Sequence, residues 1–415
     1  MPVVTDDQTD QQGERETFVP LSRADRGASY AAADFAHPTG REEEWRFTPM
    51  DRLRGMDQDE AFCAGGVTTA IESPGSFQVE TLDASDPRVG GSRLVPEDRP
   101  SARAWEAAAQ VLCVTVPREA DIAEPLVVRR TGAGASAPTA EHLLIVAEPF
   151  GRATVVLAHT GSATLADNVE VIVGDGASLT LVSVQEWDDT TVHLSRQHVR
   201  IGRDATCKHI VVSLGGGIVR VDATATYDGP GGHYEGLGVY FADDRQHLEH
   251  RLFVDHEAPR CSSHVVYKGA LQGESAHTVW VGDVLIRAGA EGTNTYELNR
   301  NLVLTEGARA DSVPNLEIET GEIVGAGHAS ATGRFDDEQL FYLMSRGIPQ
   351  DEARRLVVRA FFAEIVERIG VPKVSEHLMA AIDDELAVSL GPVSPILTGD
   401  APGDETAAQT REGRP

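Results

Sequence analysis

The stretch AEPFGRATVVL (147–157) is followed by IVGDGASLTLV (172–182) and IGRDATCKHIV (201–211), with a looser version, LTEGARADSVPNLEI, at 304–318. Each reads as strand, turn, strand: an apolar run, a turn with Gly or Asp, a small residue, then a second apolar run. The first three small residues, Ala153, Ala177 and Ala205, stand 24 and 28 residues apart. Such a step suits one coil of a solenoid, in which each coil buries its apolar face against its neighbours. A β-sandwich also gives short strands at roughly this interval. The small residue behind the turn favours the solenoid.

Outward from these repeats, period-two alternation holds from about 119 to 333. Val169, Val171 and Val173 alternate with Glu170 and Ile172, and Leu316 and Ile318 flank Glu317. The Gly-rich stretches at 215–217 and 229–232 open no helix and read as turns. Residues 18–118 read as a mixed, partly helical region. A helix is expected in ASYAAADFAH, a short acidic one in REEEW, and a third over Ser101–Gln110 with Ser101 as its cap. The polar ends, 1–17 and 392–415, are expected to be disordered tails.

Helical patterning returns at 334–391. Asp336 reads as an N-cap with Gln339 three residues on, Leu340, Phe341 and Met344 form an apolar stripe, and Gly347 ends the helix. Pro349 opens a second helix reaching Gly370, and a third runs from Ser375 to Gly391. The middle helix carries two apolar stripes: Ala353, Leu356, Val357, Ala360 and Phe361 on one side, Val358, Phe362, Ile365 and Ile369 on the other. A surface helix needs one. The second implies either a partner protein or the end of the β-region.

Composition narrows the function. A chain of 415 residues with 41% hydrophobic content can bury a sizeable core. Its net charge of −29 repels phosphate backbones, which argues against nucleic acid. Four scattered cysteines form no C-x-x-C and suit reduced thiols in a cytoplasmic protein. No apolar run approaches the ~18 residues of a membrane span, and the polar start is unlike a signal peptide.

Catalytic motifs are missing: no P-loop, no G-x-S-x-G elbow and no H-E-x-x-H. No catalytic residue is therefore assigned. β-Helices also host carbohydrate-active enzymes that use paired carboxylates, but no such pair stands out. His256, Cys261 and His264 lie within nine residues and are metal-ligand types. Strand alternation would turn the two histidines apart, which favours a structural turn. Tyr267-Lys268-Gly269 reads as a polar anchor with a turn. His328 lies among small residues, where an imidazole is accessible and usable as a metal ligand.

Three segments carry a resemblance. GHASATGRFDDEQLFYLMSRGI (327–348) resembles the C-terminal hallmark of the SufB/SufD family of iron–sulfur cluster assembly proteins. HEAPRCSSHVVYKGAL (256–271) resembles the family's H-x-x-P-x-x-x-S-x-x-x-Y-K-G-x-L segment, and REEEWRFTPMDRL (41–53) resembles the E-x-W-R-[FY]-T motif of its SufD-type branch.

The resemblance implies a right-handed parallel β-helix flanked by N- and C-terminal helical regions. It implies a scaffold subunit in the cytoplasm that pairs with SufB through the β-helices and docks the ATPase SufC on its C-terminal helices. Where SufB is absent, solenoid edges free to pair would allow a homodimer, and the sequence does not choose between homodimer and heterodimer. It implies no tightly bound cofactor, only a transient iron–sulfur cluster at the SufB interface. His328 would sit at that interface and is the residue to ligate metal. Some members carry a cysteine two residues earlier, where this chain has Ala326, so the remaining ligands would come from SufB. A SufB-type paralogue, the alternative, would be expected to have that cysteine. Asp336, Asp337, Glu338, Gln339, Leu340, Phe341, Tyr342, Arg346 and Gly347 are the implied SufC-docking residues.

Overall fold

The computed structural model describes residues 22–390 except 64, 135, 136, 335 and 336. The expected tails and Asp336 lie outside the described residues. The chain divides into two compact units, 1–333 and 334–415.

The first unit is a parallel β-helix of about eight coils. Its elements in chain order are β1 (Val67–Glu72), β2 (Gln78–Asp83), α1 (Arg99–Ala107), β3 (Gln110–Val116), β4 (Leu126–Ala133), β5 (Thr139–Ala147), β6 (Arg152–Ser162), β7 (Thr164–Val173), β8 (Ser178–Trp187), β9 (Val192–Ile201) and β10 (Thr206–Ser213). They continue with β11 (Ile218–Tyr227), β12 (His233–Ala242), β13 (His247–His256), β14 (Ser262–Leu271), β15 (His277–Ile286), β16 (Asn294–Val303), β17 (Arg309–Ile318) and β18 (Gly325–Arg334). Successive strands alternate between two nine-stranded sheets: β1 and the even strands from β4 to β18 in one, β2 and the odd strands from β3 to β17 in the other. Neighbours within each sheet run parallel, except that β1 meets β4 and β2 meets β3 antiparallel.

One column of turn residues explains the sequence repeat. Phe150, Gly176, Asp204, Gly231, Arg260 and Gly292 occupy equivalent corners, and all have φ between 52° and 81°. The conformation aims each N–H along the solenoid axis. Phe150 donates to the Asp175 carbonyl (3.0 Å), Gly176 to Arg203 (2.8 Å) and Asp204 to Pro230 (3.0 Å). The next residue in each coil is buried and small or medium-sized: Gly151, Ala177, Ala205, Gly232, Cys261, Thr293. Its carbonyl accepts from the strand of the following coil, as in Ser178 N–H to Gly151 (2.9 Å) and Thr206 N–H to Ala177 (2.9 Å). Ala177 and Ala205 therefore share a column. Ala153 does not: it pairs with Leu179, two residues further along.

The interior between the sheets is filled by Val, Leu, Ala and a few aromatics, among them Tyr227, Tyr240, Tyr267 and Trp280. The outer face of the odd sheet is also covered, by the N-terminal segment and α1. This explains the E-x-W-R-F-T motif. Buried Trp45 lies under the Arg220 guanidinium (3.9 Å to the ring centroid), and Thr48 Oγ1 donates to Glu249 Oε2 (2.7 Å). Arg23 pairs with Asp222 and Asp283 on the same sheet.

The region 18–118 holds less helix than its sequence suggests and already contributes β1, β2 and β3. ASYAAADF forms a single 3-10 turn, Ala32–Asp34, because its backbone is tied to α1: Glu106 accepts from Ala32 N–H (3.0 Å) and Arg99 reaches the Phe35 carbonyl (3.0 Å). REEEW forms turns. Helix α1 starts earlier than expected. Asp98 is its cap, accepting from Ser101 N–H at 2.8 Å, while the Ser101 hydroxyl donates to Asp98 (2.6 Å). Tyr267-Lys268-Gly269 lies mid-strand in β14.

The second unit contains α2 (Asp337–Ser345), α3 (Gln350–Glu367) and α4 (Pro372–Leu390). Gly347, with φ of 85°, closes the first of these turns. The third helix begins three residues before Ser375, with Pro372 at a first-turn position that needs no N–H.

Candidate functional site

The solenoid ends asymmetrically. At its N-terminal end the antiparallel strands β1 and β2 close the sheets. At the other end β17 and β18 each pair on one side only among the described residues. Burial decays in step. Strands β11 and β13 are buried at every position, whereas β17 has no fully buried residue and β18 is half-buried to exposed throughout. Parallel strands are stable when both faces and both edges are satisfied. A last coil so exposed is the part of this unit suited to a partner.

His328 lies on β18 and is exposed. It is two residues from Ala326, which packs against the solenoid core, so it projects from the interior side of the sheet at the open end. Thr332, on the same alternation, lies 3.3 Å from Asn301 Nδ2 of the preceding coil. No thiol neighbours His328: Cys113, Cys207 and Cys261 are buried in earlier coils and Cys63 lies in the N-terminal region.

The second cluster read from the sequence separates. His256 is buried at the end of β13, stacks on Tyr227 (4.8 Å) and lies 3.0 Å from Ser263 Oγ. His264 stacks instead beside exposed Tyr296 (6.1 Å) on the outer surface. Cys261 Sγ meets the Gly229 carbonyl (3.4 Å) in the corner column, where burial raises its pKa. The three residues do not converge.

In the helical unit, the stripe Val358, Phe362, Ile365 and Ile369 is buried with Leu378, Ile382 and Leu386 of α4. The other stripe is open in part: Leu356 and Ala360 are exposed, and Val357 and Phe361 half-buried. Helix α2 splits the expected docking residues. Leu340 is only 8% exposed, whereas Phe341 is 73% exposed, with Tyr342 and Met344 exposed beside it. The Arg346 guanidinium lies over the Tyr342 ring at 5.1 Å. Leu340 is thus core, and Phe341 leads the open face. Glu338 is exposed; for Asp337 and Gln339 only the helical backbone is described.

A polar group invisible in the sequence lies inside the solenoid: His159, Asp167 and His193 on β6, β7 and β9, all fully buried. They stand on three different strands and form no local sequence pattern. Coil register alone brings them together.

The first unit is thus a parallel β-helix with an open terminal coil, and the helical unit bears an exposed aromatic face. Comparison with known proteins supplies the family. The family profile described as "SUF system FeS cluster assembly, SufBD core domain" matches residues 129–361. An "Iron-sulfur cluster assembly SufBD family protein" of Mycobacterium tuberculosis is 56% identical over 369 residues, covering 87% of this chain and 92% of that protein. A second, so described, from the same organism is 29% identical over 201 residues, covering 48% of this chain and 24% of that protein. The "Iron-sulfur cluster assembly protein SufD" of Bacillus subtilis is 31% identical over 248 residues, 58% of this chain and 56% of that protein. The chain belongs to the SufBD family of iron–sulfur cluster assembly proteins.

Proposed function

We propose that this chain is the SufD-type scaffold subunit of a SUF assembly and performs no turnover alone. Its terminal coil pairs with a SufB-type relative, and its helical unit docks a SufC-type ATPase. Both events take place in the cytoplasm. The observation that carries this reading is the open β17/β18 end with His328 exposed on it. In this reading the nascent cluster is cargo. His328 offers it one imidazole, and Ala326 supplies no thiolate, so the partner provides the sulfur ligands. Phe341, Tyr342 and Met344 on α2, with Leu356 on α3, form the apolar face that meets the ATPase. That one organism holds two family members so unequally similar to this chain supports a paired assembly of unlike subunits.

The test is co-expression of the tagged chain with the SufB- and SufC-type proteins of its own genome. Wild type is expected to retain both. Phe341→Asp is expected to lose the ATPase and keep the SufB-type partner, because it places a charge on an exposed ring position. Leu340→Asp is unsuitable, since it would bury a charge in the helical core. Ala329→Pro, which breaks the pairing capacity of β18, is expected to lose the SufB-type partner only. If wild type brings down neither protein, or elutes only as a homodimer with both present, the reading is wrong.

A further inference from the structure

Deep in the solenoid, His159 reaches across from the even sheet to Asp167 and His193, which stand on adjacent strands of the odd sheet. One nitrogen or carboxylate oxygen from each lies within 4.8 Å of both others. His193 Nε2 is 3.1 Å from Asp167 Oδ1, and the two imidazole rings stand 4.9 Å apart. None of the three is reachable by solvent.

His159 has one nitrogen spent and one idle. Its Nδ1 lies 3.0 Å from the Val184 carbonyl, which can only accept, so Nδ1 carries the proton and Nε2 the lone pair. That Nε2 is buried with no hydrogen-bond partner. Burial holds this imidazole well below its usual pKa, so it stays neutral. A ring whose one N–H is fixed by a backbone carbonyl while the other nitrogen is left bare is how proteins present histidine to a metal ion.

The other two residues are also held from behind. Asp167 Oδ2 is held by the Arg130 guanidinium, which in turn lies 3.9 Å from Glu141. His193 Nδ1 is 3.0 Å from Gln185 Oε1 and 3.2 Å from the Trp187 indole nitrogen, which is itself 3.1 Å from Gln185 Oε1. With Trp187 donating to His193 Nδ1, the opposite nitrogen carries the proton and donates to Asp167 Oδ1. With both Trp187 and His193 donating to Gln185, His193 Nε2 and Asp167 Oδ1 become two acceptors facing each other at 3.1 Å, a pair that needs a cation between them. Bonds of ~2.0–2.1 Å to a tetrahedral ion put ligand atoms about 3.3 Å apart, close to the 3.1 Å between His193 and Asp167, with His159 within 4.8 Å of both.

We propose that His159, Asp167 and His193 bind one divalent first-row transition ion, zinc or ferrous iron, as a site in the solenoid interior distinct from the His328 end. Two imidazoles and one carboxylate suit both ions. With no solvent path to the site, the ion enters as the chain folds and exchanges slowly. The competing occupant is a proton on His193, which would pair with Asp167 and leave His159 Nε2 bare.

The experiment uses the full chain, expressed in minimal medium with added Zn²⁺ or, anaerobically, with added Fe²⁺. Metal content is measured by mass spectrometry after dialysis against EDTA. About one equivalent is expected in wild type, and the two growth arms show which ion is held. His159→Gln and Asp167→Asn are expected to lose it while His328→Ala keeps it. Because a variant may misfold, wild type is also unfolded and refolded with Co²⁺. The expected result is visible d–d absorption of a nitrogen–oxygen site that survives EDTA added afterwards and is absent when EDTA precedes refolding. Substoichiometric metal in wild type from both arms, with no Co²⁺ spectrum on refolding, would overturn the proposal. So would equal metal in wild type and His159→Gln.

Discussion

Tyr240 packs its ring against Gly269 of the next coil so closely that a Cβ there would lie 1.9 Å from Tyr240 Cε2. The relation is reciprocal. Gly238 on the strand of Tyr240 faces Tyr267 on the strand of Gly269, with an equally impossible Cβ distance of 2.1 Å. Both rings are buried, and the Tyr240 hydroxyl donates to Asn301 Oδ1 (2.7 Å) while accepting from Asn299 Nδ2 (2.9 Å). The Y-K-G motif is thus half of an interlock between coils. Gly269→Ala is expected to cost about 1–3 kcal/mol, the range for overpacking a filled core. In Tyr240→Ala/Gly269→Ala the second substitution should cost much less, a coupling that urea unfolding of all four proteins reads directly. Simple additivity would show that the ring moves aside freely.

The corner column gives a second prediction. Gly292 and Arg260 hold equivalent left-handed positions in successive coils, with φ of 73° and 56°. Adding a Cβ at Gly292 brings it to 3.2 Å from Arg260 Cγ in a conformation that costs an L-residue about 1–2 kcal/mol. Gly292→Ala should lower stability by that amount. Arg260→Gly, which removes the same strain while adding unfolded-state freedom, should change it by less than about 1 kcal/mol. If the two substitutions were equal in sign and size, the column would not set the turn.

These two relationships also mark what the sequence could show. A solenoid was legible because the corner demands a left-handed residue followed by a buried, mostly small one, and three coils satisfy that with similar letters. Its phase was not: Ala153 satisfies the same pattern two residues late, since the corner of that coil is Phe150-Gly151. The helical unit was legible through Gly347 and Pro349. The split between Leu340 and Phe341 was not, because adjacent residues on a short helix share a stripe until packing chooses one. Residues 41–48 carry a recognisable motif, yet their role depends on Arg220 and Glu249, more than 170 positions away. His159, Asp167 and His193 meet only through coil register, which no local pattern encodes.

Acid should destabilise the β-helix before its carboxylates titrate. Burial lowers His198, His250 and His256 to about 3 and His209 to about 4. Like charge adds to this at His198, which faces Arg196, Arg93 and Arg200, and Glu249 opposes it at His250. These groups stay neutral when folded but take up protons when unfolded. Their contribution is therefore complete above pH 6.5 and is lost as pH falls toward 3. The unfolding midpoint should drop steeply between pH 6 and 4.5, with a slope corresponding to uptake of several protons. His256→Asn should reduce that slope by about one proton. A midpoint flat over this range would mean that the rings are charged in the fold.

Glu297 predicts the opposite slope. It is buried among Trp280, Gly282 and Asp283, and neither carboxylate oxygen has a hydrogen-bond partner. Burial pushes its pKa well above the carboxylate range, and Asp283 adds to the shift. A raised acid pKa means that the folded state keeps a proton the unfolded chain releases. Stability from this group is complete below about pH 4.5 and declines as pH rises. Glu297→Gln has nearly the same shape and cannot ionise. It should match wild type near pH 4.5 and exceed it in stability near pH 7.5. Denaturant titration of both proteins at the two pH values checks this. A gain of equal size at both would mean that the side chain is relieved of poor packing, and a loss at pH 7.5 would mean that Glu297 is ionised and held by a cation in the assembled protein.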